Sequence, residues 1–376
     1  MKRQHSWRDS SMILSLLGVW LFFYLCDAQF VSSRNLSNLA IEFSIIATLS
    51  LGMLLVILPG QIDLSVGSGV GLTGGIASVL IFNSGWPAAA AMLVTLAIAL
   101  ILWFCIGKLI TSQQLPAFII TLGGLLIFKG LFWKIIDNQT VPVTVGDQEN
   151  LLSLIITYDF STTMSFLIFT LVALSLFFGM IRSRNLKREL NFENAPFEND
   201  FLKVFVIIQV LLLMTIVMTK FQGLPLVFIL FGAVALAIYI LTQHTTFGRY
   251  LYAIGGNKEA AELSGIQVNK VITKAFMILG ALVAITGFMQ TSYQGYSTTT
   301  IGNLMELDAI AACVIGGVSL AGGRGTVGGV LLGALLMTSL INGMNLLSVA
   351  PEAKFIARGT VLVLAVWMDI KFSKKI

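Results

Sequence analysis

The chain has 376 residues, of which 57% are hydrophobic and 11% charged; soluble domains carry roughly 25% charged residues, and a chain this poor in charge cannot clothe itself in a polar surface. That excludes an ordinary soluble domain. The formal net charge of +5 sits at the ends of apolar runs, where membrane topology explains it better than a nucleic-acid partner does.

Set against the roughly 20 apolar residues of a bilayer span, candidate segments fall at 11–27, 39–60, 66–83, 88–106, 116–135, 163–181, 203–219, 224–242, 271–290, 305–319, 327–345 and 354–370. No Asp, Glu, Lys or Arg occurs in 64–107, 221–248 or 275–305. Twelve segments is the upper limit. Those beside Gly60-Gln61-Ile62-Asp63 and Gly316-Gly317 are short or glycine-rich and are expected to be half-helices or re-entrant pieces, leaving about ten full spans. The fold class is therefore all-α: one polytopic membrane domain over 1–376.

At the N-terminus, Lys2, Arg3 and Arg8 precede the first apolar run in the manner of a secretory signal. Leu25-Cys26-Asp27-Ala28 lacks the small residues of a cleavage site, so a retained first helix is expected. Further along, Gly60-Gln61-Ile62-Asp63-Leu64-Ser65-Val66-Gly67-Ser68-Gly69 joins two apolar helices. An acid at membrane depth costs roughly 2.5–3.5 kcal/mol on insertion scales, so Asp63 requires a partner or water. Ser65 or Ser68 is placed to cap the next helix, and a capping role at the helix N-terminus is the alternative for Asp63 itself.

The segment 135–181 contains no Lys or Arg but holds Asp137, Asp147, Glu149 and Asp159, which marks it for the outer face. Basic residues concentrate at the N-terminus, at 182–188, at 249–274 and at 371–375, which places all four in the cytoplasm, with both termini inside and an even number of spans. In 182–203 the basic residues mix with Glu189, Glu193, Glu198 and Asp200 around Pro196, reading as a solvated central linker. Two halves are also suggested by an echo: Gly71-x-x-Gly74-Gly75 matches Gly325-x-x-Gly328-Gly329, and Ser65 matches Ser319, each offset by 254 (325 minus 71; 319 minus 65).

Within a cytoplasmic loop at 243–270, Asn257 is placed to cap a short helix formed by Lys258-Glu259-Ala260-Ala261-Glu262-Leu263, with Gly265 closing it after Ser264. Near the end, Glu306 and Asp308 open a helix where the dipole favours carboxylates, so capping is their default role and a polar path or gate the alternative; the run of Ala and Gly that follows lets neighbouring backbones approach. Asn342 and Asn345 are polar residues inside an apolar run, suited to hydrogen bonds between helices or to a polar path. Cys26, Cys105 and Cys313 are scattered, His5 and His244 lie far apart, and no cofactor or metal site is expected. No paired His or Ser/Lys set speaks for an intramembrane enzyme, and no G-x-x-x-x-G-K-[ST] phosphate loop is present.

The blocks Ile62-Asp63-Leu64-Ser65-Val66-Gly67, Ala253-Ile254-Gly255-Gly256-Asn257, Leu263-Ser264-Gly265-Ile266, residues 307–317 and Ser319-Leu320-Ala321-Gly322-Gly323, in this order over nearly the whole chain, resemble the permease family of ribose, galactose and xylose importers. Ala311-Ala312-Cys313-Val314-Ile315-Gly316-Gly317, the central linker and Leu364-Ala365-Val366-Trp367-Met368-Asp369 are most similar to its xylose-importing members. The resemblance implies a transport subunit in the bacterial inner membrane that works as a homodimer, with a periplasmic sugar-binding protein outside, a separate ATP-binding-cassette ATPase inside and lipid around it. It implies D-xylose as cargo ahead of another pentose, a hexose or an autoinducer. Coupling to the ATPase then falls to Asn257, Lys258, Glu259, Glu262, Ser264 and Gly265. Asp63, Ser65, Glu306, Asp308, Asn342, Asn345 and Glu42 are the pathway and gating candidates. Glu42, read as lying in the first turn of the second span, departs from the family pattern, which has a neutral or basic polar residue there. A branched-chain amino acid permease and an ion-coupled secondary transporter, whose transport would persist without ATP, remain the rival classes.

Overall fold

The computed structural model describes residues 2–146, 148–190, 192 and 196–373, the side chains of 2–11 and 368–373 excepted. Asp147, Glu193, Lys374 and Lys375, and the side chains of Asp369 and Lys371, lie outside the described residues. In a bilayer the backbone must satisfy its own hydrogen bonds, and this sequence does so by helices: α1 (Lys2–Cys26), α2 (Ser33–Ile57), α3 (Val66–Phe82), α4 (Ala88–Gln113), α5 (Ala117–Ile135), α6 (Leu151–Thr157), α7 (Thr162–Glu189), α8 (Phe197–Thr219), α9 (Leu226–His244), α10 (Thr246–Gly256), α11 (Lys258–Leu263), α12 (Val268–Gln294), α13 (Met305–Ile315), α14 (Val327–Leu346) and α15 (Pro351–Ser373). Two short antiparallel pairs tie loops together: β1 (Val141–Pro142) with β4 (Tyr296–Ser297), and β2 (Asp159–Phe160) with β3 (Leu224–Pro225).

Every one of the twelve apolar segments holds a helix. Among the described residues eight helices, α2, α4, α5, α7, α8, α9, α12 and α14, are long and apolar enough to cross a membrane, while α3 and the apolar part of α1 are shorter. With 11 residues, α13 spans about 17 Å and cannot cross a hydrocarbon core of about 30 Å alone. It is a half-helix, broken at Gly316 before α14 begins.

Burial sorts the helices. Of the most apolar window, 89% is buried in α2 and 72% in α12, against 11% in each of α7 and α8. The first two form the centre, whereas the α7–α8 hairpin presents its apolar surface outward. Helix α12 packs along α4, α3 and α2. Its crossing with α3 is close because Gly287 and Gly74 let the two backbones approach: a Cβ on Gly287 would lie 3.0 Å from the Gly74 amide nitrogen and closer still to the Thr73 hydroxyl.

Within 182–203, α7 runs to Glu189 and α8 starts at Phe197, and Arg184 pairs with Asp200 across the hairpin. Two expectations need correction. The offset-254 echo does not match equivalent places. Ser65 immediately precedes α3, and its counterpart before α14 is Thr326, an offset of 261 (326 minus 65), whereas Ser319 lies in the preceding loop. Finally, Ser65 occupies the N-cap position of α3 without making a side-chain cap bond.

Candidate functional site

Residues of α2, α12, α13, α14 and α15, together with the segment 296–303, line a half-open cavity of about 270 Å3, near the lower edge of the roughly 300–1,000 Å3 usual for small-molecule sites. Glu42 stands on its wall. Because α2 begins at Ser33, Glu42 is not in the first turn but is its tenth residue, about 14 Å along the helix. Its Oε1 accepts from the Tyr293 hydroxyl at 3.0 Å and its Oε2 from Asn342 Nδ2 at 3.1 Å. Asn342 Oδ1 in turn accepts from Asn35 Nδ2 at 2.9 Å, and the same amide also donates to the Phe30 carbonyl. One polar chain thus pins α2, α12 and α14 together around the cavity.

Opposite Glu42, the fourth residue of α13, Asp308, is 3% exposed and faces Arg358 of α15, with Oδ1 and Nε 3.5 Å apart. Neither atom has a hydrogen-bond partner, and both residues line the cavity. Asn345 also lines it, accepting from Lys354 Nζ at 2.7 Å. Glu306 lies in the first turn of α13 but packs over Gly67 at the start of α3, where a Cβ would collide with its carboxylate. Sequence reasoning missed Asn35, Tyr293 and Arg358. The last left a trace, being the lone cation between Lys354 and Lys371 in an apolar run.

Asp63 belongs elsewhere. Fully buried in the break between α2 and α3, it accepts from the Ser65 amide at 2.7 Å and hydroxyl at 2.6 Å through Oδ1, and from Trp103 Nε1 at 2.8 Å through Oδ2. This use of the Ser65 hydroxyl explains the missing cap, and the Ser68 hydroxyl turns instead to the Ser65 carbonyl. The structure does not bring Asp63, Ser65 or Glu306 to the cavity wall.

The segment 243–270 lies at the other end of the central helices. Asn257 caps α11 by accepting from the Ala260 amide at 2.9 Å. The Ser264 hydroxyl bonds back to the Ala260 carbonyl, and Gly265, at φ +81°, closes the helix by donating to the Glu262 carbonyl. Ala261 faces the protein while Lys258, Glu259, Glu262 and Leu263 face out, Leu263 being 91% exposed.

Helix α10 fixes this segment to the core. Gly255 rests on the Leu58 carbonyl at the end of α2 and on the Gly323 amide in the loop after α13. The Gly323 N–H donates to that same carbonyl at 2.9 Å. Tyr252 donates to the Gly325 carbonyl at 2.8 Å, and burial pushes its phenol above its ordinary value, which keeps it a donor. Leu58, the C-cap of α2, lies 16 residues beyond Glu42 (58 minus 42), about 24 Å along the helix axis.

A polar cavity and an exposed short helix at opposite ends of shared, buried helices, within an all-α polytopic membrane protein, fit a multi-pass permease. The family model described as branched-chain amino acid transport system / permease component matches residues 35–366, and the chain belongs to that family. The xylose transport system permease protein of Escherichia coli K12 is 37% identical over 95% of this chain and 90% of its own length. That of Haemophilus influenzae is 36% identical over 97% and 96%. The ribose import permease protein of Escherichia coli K12 is 31% identical over 96% and 94%. No solved structure matches the chain.

Proposed function

We propose that this chain is the permease subunit of an ATP-driven importer that carries a monosaccharide, D-xylose, into the cytoplasm. The similarity to two xylose permeases over nearly full length supports the cargo. The observation that carries the mechanism is the shared helix: α2 holds Glu42 on the cavity wall and Leu58 at the Gly255 junction. A packed helix moves as a unit, so displacement of α10 by an ATPase docked on α11 is passed to the cavity. The chain has no phosphate loop and takes its energy from that partner.

In this reading both termini and the 243–270 segment are cytoplasmic, and 141–160 faces a periplasmic sugar-binding protein in the inner membrane. The positions of β4 and α11 at opposite ends of α12, about 40 Å apart, support that orientation. Two copies form the working assembly. Glu42, Asp308, Asn342 and Asn345 act at the pathway; Asp63, Ser65 and Glu306 shape the helix break beside it. Asn257, Lys258, Glu259, Glu262, Ser264 and Gly265 form and present the coupling surface.

The test is reconstitution of the chain with its cognate ATPase and binding protein in proteoliposomes, comparing D-xylose, D-ribose and D-galactose as stimulators of ATP hydrolysis and uptake. D-xylose should stimulate most. Preference for ribose would move the cargo to the relative at 31% identity. Stimulation by no pentose or hexose, or uptake that persists without ATP, would sink the proposal.

A further inference from the structure

A second cavity, of about 360 Å3, lies between α3, α4 and α5 and is lined by aliphatic side chains alone. Its shape follows from how α4 and α5 meet. At one level they touch: the Trp103 and Phe128 rings stand 5.2 Å apart, and a Cβ on Gly124 would lie 3.9 Å from Ile106 Cδ1. Towards the end of α5 the helices part, and Leu102 on α4 faces the gap with Leu131 and Ile135 on α5. Helix α3 shows through, with Leu72 buried at the floor and Ile76 and Val79 half-buried. The result is a crevice closed at the aromatic pair and open at its rim, where Leu131 and Ile135 are 41% and 37% exposed.

Water does not fill an aliphatic crevice, and a void forfeits the contacts of the atoms that line it, so in a bilayer the filling is apolar. One turn of a helix about 10 Å across occupies roughly 420 Å3, more than the whole crevice. A helix of a second copy therefore does not enter, whereas a single acyl chain does. The mouth supplies chemistry for the head of such a chain. Lys134 is exposed in the last turn of α5, next to Ile135. Trp86 is 43% exposed, and its amide donates to the carbonyl of Leu80 at 2.9 Å, which folds it over the end of α3 where Leu80 lines the crevice. Among the described residues neither side chain has a hydrogen-bond or ion-pair partner. Lys129, the other cation of α5, is turned to the Trp133 ring, and Asp137, exposed beyond the end of α5, is not paired with Lys134. A lysine at a helix C-terminus is favoured by the dipole alone; a lysine and an indole N–H at the mouth of an aliphatic crevice together match a phosphodiester above an acyl chain. We infer that the crevice is a phospholipid site: one acyl chain lies against α3 between α4 and α5, and its phosphodiester is held by Lys134 and Trp86. The same α3 carries Gly71 beneath the carbonyl of Ile301, a residue of the polar cavity's wall, so the lipid backs the helix on which that wall rests.

The full-length chain in nanodiscs of phosphatidylethanolamine and phosphatidylglycerol, doped with a phosphatidylglycerol that carries a diazirine on one acyl chain, tests it by photolabelling and peptide mapping. Ile76 and Leu102 should be labelled at least about threefold more than Leu93 and Leu126, although these two are each 66% exposed. A diacylglycerol with the same diazirine chain lacks the phosphodiester and should label the crevice about fivefold less. Lys134→Gln should remove most of that difference, and Val79→Trp, which fills the crevice from its rim, should abolish the preference for Ile76 and Leu102 with both probes. Labelling spread evenly over the apolar surface overturns the inference. So does an absence of label on Ile76 and Leu102, whether the crevice is empty or covered by a second copy, and so does a Lys134→Gln pattern equal to that of the wild type. Should Val79→Trp not fold, the surface variant Lys134→Gln decides alone.

Discussion

Gly255 and Gly256 are consecutive residues at the end of α10, yet the structure sets them in opposite situations. A Cβ on Gly255 collides with the Leu58 carbonyl and the Gly323 amide, whereas a Cβ on Gly256 meets nothing within 4 Å. Gly→Ala in a helix gains about 0.5–1 kcal/mol, and that gain is common to both variants. At Gly255 it is outweighed: forced overpacking costs about 1–3 kcal/mol, and loosening the Gly323-to-Leu58 hydrogen bond costs about 0.5–1.5 kcal/mol more. Gly255→Ala should therefore be destabilised by roughly 1–3 kcal/mol net, and Gly256→Ala should be neutral or slightly stabilised. The assay is thermal unfolding of the purified permease followed by fluorescence-detected size exclusion, run beside sugar-stimulated ATP hydrolysis in the reconstituted importer. If α10 transmits motion through this contact, Gly255→Ala also retains ATPase binding while losing most of the sugar-dependent stimulation. Equal melting temperatures and equal stimulation in the two variants would refute the junction.

Two further predictions concern the helix break and the docking surface. Asp63→Asn places an amide N–H against the Trp103 indole N–H, or else against the Ser65 donors, and should cost about 2–3 kcal/mol by leaving buried donors unpaired; removing the opposing donor with Trp103→Phe should recover at least about 1 kcal/mol of it in a double-mutant cycle. Simple additivity of the two losses would show that Asp63 and Trp103 are not coupled. Charge reversal at Glu259 and Glu262, both solvent-facing on α11, should weaken co-purification of the ATPase without affecting membrane insertion, and unchanged association together with unchanged transport would remove α11 from the mechanism.

The apolar runs located every spanning helix because a bilayer leaves the backbone little choice, but they misplaced helix ends. An apolar window sees the hydrocarbon core, while the helix starts at its cap: Ser32 accepts from the Asn35 amide, so α2 begins six residues before the window at 39 (39 minus 33) and carries Glu42 deeper than the window implied. In 182–203 the exposed charges carry no record of the pairing of Arg184 with Asp200, which only the return of the chain through the α7–α8 hairpin brings about. At the cavity, Glu42, Asp308, Asn342 and Asn345 stood out as polar residues in apolar surroundings. Tyr293 did not, because tyrosine is unexceptional at a helix end, and its pairing with Glu42 spans 251 positions. No periodicity records such a contact.

Glu42 and Asp63 show where composition stops being informative. Both are acids within apolar sequence, and the insertion cost that marks one marks the other. Their difference lies in valence. Asp63 is fully enclosed, takes two bonds from Ser65 and one from Trp103, and touches no cavity, so its carboxylate is consumed in holding the α2–α3 break against α4. Glu42 takes one bond on each oxygen and borders open volume that the Asp308–Arg358 ion pair also lines. A buried acid whose acceptor sites are filled by its own fold has no reason to meet a cargo; one that keeps acceptor sites beside a void does. The break that the sequence makes conspicuous thus holds an acid bonded within its own fold, and the quieter glutamate about two and a half turns into α2 is the one that borders open volume.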